Sequence, residues 1–155
     1  MYSNELVCDI LEYINNNINK EITIDELSTM FFFNKTYIMK RFKREIGITI
    51  HSYINSIRIY NSLLDFKSDN YILSIALKHG FNSLEYFSET FKKIMGVNPQ
   101  IYKNFIFISK NISSKDDNTI RNSITKLQSI KDNTTRYLNN RKPKQTPVKK
   151  LFLPH

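Results

Sequence analysis

Between residues 50 and 66, apolar side chains recur at Ile50, Tyr53, Ile54, Ile57 and Leu64, with Asn61 in the same stripe, at spacings of three and four. That rhythm gathers them on one side of an α-helix, so a helix is predicted over 50–66. "NELVCDILEYINNNI" repeats the pattern, with Leu6, Ile10, Leu11, Tyr13 and Ile14 on one side. "TIDELSTMF" follows, with Thr23 as N-cap and Glu26 at the capping-box position. Asn34 opens "KTYIMKRFKREIG", which Gly47 stops in the C′ role. "ILSIALKHG" starts at Ile72, and "LEYFSETFKKIM" lies between Gly80 and Gly96. With three Gly and four Pro in 155 residues, placed at the borders of these segments within the first 103, the prediction is an all-α fold.

The segments are two copies of one unit. A shift of 49 places Tyr37, Ile38, Phe42, Lys43, Gly47 and Tyr53 on Tyr86, Phe87, Phe91, Lys92, Gly96 and Tyr102. A shift of 48 places Ile24, Leu27 and Ser28 on Ile72, Ile75 and Ala76, so the one-residue difference falls in the turn between the two helices. Each unit reads as short helix, turn, longer helix: unit one over about 22–47, unit two over about 71–96, joined by the helix at 50–66. In a helix-turn-helix the second helix enters the DNA major groove while the first crosses the backbone.

Charge supports a polyanionic partner but is unevenly spread. The formal net charge is +9, of which residues 1–103 hold +1 and residues 104–155 hold +8. Within the first part, "KTYIMKRFKR" packs five cations and no anion into ten residues. The single cysteine, Cys8, excludes an internal disulfide, and the three histidines have no cysteine partners at metal-ligand spacing. There is no glycine-rich phosphate loop and no nucleophile motif, so an enzyme, a cofactor and a metal are not expected. No apolar run reaches the roughly 20 residues that span a bilayer, and the N-terminus lacks the plan of a signal peptide, so the expected location is the cytoplasm, with no membrane partner.

If Tyr37, Ile38 and Phe42 fasten the second helix of unit one, then Thr36, Met39, Lys40 and Lys43 form the outward stripe at i, i+3, i+4 and i+7. Thr36 and Met39 suit a thymine methyl, and Lys40 can donate to guanine O6 and N7. Lys35, Arg41 and Arg44 are expected on phosphates, which set register without reading sequence. The matching stripe of unit two is Glu85, Ser88, Glu89 and Lys92. Two carboxylates there either accept hydrogen bonds from cytosine N4 or adenine N6, or leave the second helix resting loosely on DNA. Asn98 is an N-cap and Pro99 suits the first helical position, so the helix start at Asn98 and Gln100 is an expected phosphate contact; Thr49 is the repeat partner of Asn98.

Arg58-Ile59 in the joining helix, then Ile72, Ile75, Ala76, Gly80-Phe81, Tyr86-Phe87, Phe91-Lys92-Lys93, Gly96 and Pro99, make an ordered series. Residues 4–103 thereby resemble the DNA-binding domain of the AraC/XylS family of bacterial transcription regulators. The resemblance implies a seven-helix domain of two helix-turn-helix subdomains, gripping successive major-groove segments of double-stranded DNA about one turn, roughly 34–36 Å, apart. Its base-reading positions fall on Thr36, Met39 and Lys40 in the first unit and on Leu84, Glu85 and Glu89 in the second. Family members very often carry Arg where this chain has Glu89, a departure at a base-reading position of the second unit.

Residues 104–155 form a basic tail, expected to be partly helical or disordered. "NFIFIS" reads as a strand or a packing strip, and residues 113–140 as an amphipathic helix with Ile120, Ile124, Leu127 and Ile130 on one side. "RKPKQTPVKK" is basic and broken by proline. Three roles stay open for the tail: unspecific DNA attraction, contact with the transcription machinery such as RNA polymerase, or the remnant of an effector-binding region. The function expected is a sequence-specific transcription regulator, an activator among the options. Its rival is a helical adaptor of the same fold that binds a protein.

Overall fold

The computed structural model describes residues 5–68, 71–107 and 113–141. The prolines and lysines of 142–155, and Ile108 and Ser109 of the apolar run, lie outside these residues. Among the described residues the chain forms eight α-helices and no strand. They are α1 (Leu6–Asn16), α2 (Ile24–Phe31), α3 (Lys35–Ile46), α4 (Ile50–Ser62), α5 (Ile72–Lys78), α6 (Leu84–Met95), α7 (Pro99–Phe107) and α8 (Ser114–Arg141). The joining helix tightens to 3₁₀ geometry over Leu63–Lys67. None of the described helices is long and apolar enough to cross a membrane.

Helix starts follow the capping chemistry. Thr23, Asn34, Thr49, Ser83 and Asn98 each accept a bond from the backbone N–H three residues on, at 3.1, 2.8, 3.1, 3.1 and 2.9 Å. Each such cap is worth about 1 kcal/mol. Gly47 and Gly96 stop α3 and α6 with φ of 94° and 78°, a left-handed conformation that costs a side-chain-bearing residue about 1–2 kcal/mol. The turn between α5 and α6 uses Gly80 at φ 86°, but its counterpart in unit one is Phe32, at φ 59° and 90% exposed.

Two cores result. The first joins Leu6, Ile10 and Ile14 of α1 to Leu27, Ile38, Phe42 and Tyr53. The second is aromatic: Phe66, Phe81, Phe87, Phe91 and Tyr102 pack with ring centres 5.0–6.5 Å apart. Burying each such ring contributes about 2–3 kcal/mol. α4 reaches both cores, through Ile57 into the first and Ile59 into the second.

Beyond residue 103 the strand alternative fails: residues 104–107 complete α7, and Phe105 and Ile106 pack against the second core. The amphipathic segment is helical over Ser114–Arg141, with Ile120, Leu127 and Thr134 buried against the rest of the molecule.

Candidate nucleic-acid interface

α3 and α6 occupy ranges that differ by 49 at both ends, so the repeat legible in the residues is also a repeat in space. In α3, Ile38 and Phe42 are fully buried, which turns the opposite side to solvent. Lys35, Thr36, Met39, Lys40, Lys43 and Arg44 are all exposed there, Met39 at 44%. Lys35 pairs with Asp25 across the turn, an exposed contact that is readily exchanged for another anion.

Arg41 departs from expectation. Its guanidinium turns inward to Glu45 at i+4 and donates to the Tyr37 hydroxyl at 3.0 Å, leaving the side chain only 13% exposed. It therefore braces α3 and is not a free phosphate ligand. Glu45 also accepts from the Tyr137 hydroxyl of α8. Burial alone would raise the Glu45 carboxyl, but the bonds from Tyr137 and Arg41 and the nearby Arg141 charge hold it below its ordinary value of 4.5. A carboxyl held low in the folded state stabilises fully above its ordinary value and loses that contribution as pH falls through the folded value. Stability measured by urea denaturation should therefore fall from about pH 5 to pH 3, and Glu45→Gln should flatten part of that fall. A parallel fall in the variant would show that the interaction is not stabilising. Asp65 accounts for another part, since its bond from His79 at 2.5 Å also lowers its carboxyl.

α6 buries Phe87, Phe91 and Met95 and exposes Leu84, Glu85, Glu89 and Lys92, with Ser88 half-buried. Glu89 also faces a groove of about 280 Å³ between α6 and α4, together with His51, Asn55, Tyr86 and Lys93. Across that groove the Tyr86 hydroxyl lies 3.1 Å from His51 Nε2 and accepts from Asn55 Nδ2 at 3.0 Å. These contacts seat α6 on α4. His51 and Asn55 escaped the sequence reading, although both lie on the polar side of the 50–66 stripe. Asn98 and Gln100 are exposed at the start of α7, where Asn98 caps the helix and Gln100 donates to Asn104 at 3.2 Å. Among the described residues no group of three or more His, Cys, Asp or Glu is placed to hold a metal.

The arrangement is thus two helix-turn-helix units presenting equivalent helices on one scaffold. A family model described as a helix-turn-helix domain matches residues 27–104, half of the chain, from within α2 through the whole second unit. The chain belongs to the AraC/XylS family. The transposon Tn10 TetD protein of Escherichia coli is 30% identical over 99 residues, covering 63% of this chain and 72% of that protein. The HTH-type transcriptional activator AarP of Providencia stuartii is 24% identical over 103 residues, covering 66% and 76%. Among solved structures, the C-terminal domain of AraT, a response regulator from Geobacillus stearothermophilus, is 25% identical with a TM-score of 0.62, over 70% of this chain and 92% of that one. The family-model match ends at residue 104, before α8 begins.

Proposed function

We propose that this protein is a sequence-specific DNA-binding transcription regulator that inserts α3 and α6 into successive major-groove segments. The observation that carries the reading is the exposed stripe of Thr36, Met39, Lys40 and Lys43 on a capped, core-anchored helix, repeated 49 residues later on α6. Lys40 donates to guanine, Thr36 and Met39 meet thymine methyls, and Lys35, Lys43 and Arg44 hold phosphates. Leu84, Glu85, Ser88, Glu89 and Lys92 form the second reading surface, with the two glutamates accepting from cytosine N4 or adenine N6. Asn98 and Gln100 lie where the free N–H groups of α7 can meet a phosphate. The DNA-reading unit spans residues 4–103, and residues 104–155 extend it. On this reading the protein works in the cytoplasm, where bacterial DNA lies. Because AarP is named a transcriptional activator, activation through RNA polymerase is the mode we assign.

Selection of bound duplexes from random DNA by the purified full chain tests this reading. The expected result is two conserved half-sites about one turn, roughly 34–36 Å, apart. A template carrying that site should then give more transcript with the protein than without it. Recovery of no preferred sequence would overturn the regulator reading, and a single half-site would show that α6 does not read.

A further inference from the structure

α8 is long for a helix with so few apolar residues: its 28 residues extend about 42 Å. Its inward stripe runs from Ile120 to Leu138, with Ile120, Leu127 and Thr134 buried and Ile124, Ile130, Tyr137 and Leu138 partly buried. The stripe divides between the two units. Ile120, Ile124 and Leu127 join the second core, whereas Ile130, Tyr137 and Leu138 pack on the first. Midway, α8 crosses the joining helix, where Gln128 accepts from the Tyr60 hydroxyl and Lys131 Nζ sits 4.8 Å from the centre of that ring.

Polar ties fall at corresponding places on the two outward helices. Ser123 donates to the backbone oxygen of Met95, in the last turn of α6, at 2.9 Å. Tyr137 donates to Glu45, in the last turn of α3. The two anchors are 14 residues apart, about 21 Å along α8. The N-terminal part of α8 also lies against bare backbone: a Cβ at Gly96 would come 2.4 Å from Thr119 Cγ2, while at Gly47 it would meet nothing within 4 Å.

We infer that α8 is a splint that holds α3 and α6 in fixed relation and so sets the spacing of the half-sites this chain accepts. The inference rests on the DNA-reading assignment above. α4 links the units over its own length, through Ile57 and Ile59 and through the Tyr86 contacts, and α8 adds a second bridge that reaches the ends of both outward helices. With the units held at both cores and at the ends of both helices, a site lengthened by one base pair must be met by deforming DNA. Such deformation is costly and depends on sequence.

Two measurements on the full chain test the splint. In a Cys8→Ala background, spin labels at Met30→Cys and Leu73→Cys, both exposed, report the separation of the units without DNA. A single narrow distance distribution is expected, and Ile120→Ser with Leu127→Ser should broaden it about twofold or more, with the gentler pair Ser123→Ala and Tyr137→Phe broadening it less. On the selected duplex, one inserted base pair between half-sites should weaken the parent about tenfold or more and the loosened variants by less than about threefold. An unchanged distribution and an unchanged spacing penalty, in the gentler variant if the first pair unfolds the chain, would overturn the splint while leaving DNA reading intact. Selection of a lone half-site by the parent would overturn the spacing role together with the two-site reading.

Discussion

Arg58→Met is expected to lower the unfolding free energy by about 3–5 kcal/mol, seen as a lower urea midpoint with an unchanged slope. The guanidinium is buried, with the residue 8% exposed, and comes from the middle of the joining helix. Its Nε donates to the Ile18 carbonyl at 2.7 Å and an η nitrogen donates to the Lys20 carbonyl at 2.6 Å. It also faces the Phe81 ring at 5.9 Å, so one side chain ties the α1–α2 loop, α4 and the turn of the second unit. Methionine keeps much of the stem volume but leaves both carbonyls without a charged donor, at about 1.5–3 kcal/mol for each bond. Burial lowers the Arg58 pKa from its ordinary value, opposed in part by the nearby Tyr86. Arg58→Lys should recover only part of the loss, because an ammonium lacks the planar fork that spans two acceptors. A loss below about 1 kcal/mol in Arg58→Met would mean that water replaces the guanidinium and that the tie is not structural. Gly80 fits the same picture: its φ of 86° already disfavours a side chain, and a Cβ would approach Arg58 and the Asn19 carbonyl at 3.1 Å.

How much of this was legible varies residue by residue. The repeat located α3 and α6, because the aromatic and glycine positions that anchor each unit recur at a fixed shift. N-caps were legible because a short polar side chain before an apolar rhythm has one local use. Arg58 stood out in the sequence, but its partners are backbone carbonyls about 40 residues away, and carbonyls carry no residue identity. Arg41 was misplaced for a different reason. Glu45 at i+4 was visible, yet the cationic run around it argued for phosphates, and the local ion pair prevailed in a half-buried site. The first turn hid its left-handed residue because Phe32 stands where the second copy has Gly80. The stripe of α8 announced a helix but not its seat: an amphipathic face says that something is covered, and only packing shows that it spans two cores.

Reversing charge at Lys40 should be the most damaging single change to DNA binding, about 100-fold at moderate salt. Lys40→Glu removes a groove donor worth about 1–3 kcal/mol and puts a carboxylate against the polyanion. Since Lys40 is exposed and α3 is anchored by Ile38 and Phe42, the folded state should be little affected. A melting temperature within a few degrees of the parent is the control that separates lost contact from lost structure. Unchanged affinity would favour the adaptor, in which the same helices meet a protein. Glu89→Arg is the complementary test on α6, since Glu89 is exposed at the groove beside α4. If the carboxylate merely lies near phosphates, its replacement should tighten binding about tenfold and steepen the log–log salt dependence by about 0.9 for the added phosphate contact. If it accepts from a cytosine or adenine amino group, Glu89→Arg should instead erase preference at one base pair of the selected site. The two outcomes differ in kind, because a phosphate effect acts equally on every sequence and a base contact does not. Measuring both variants against the selected duplex and a scrambled one therefore assigns α3 and α6 their separate shares of affinity and of sequence reading.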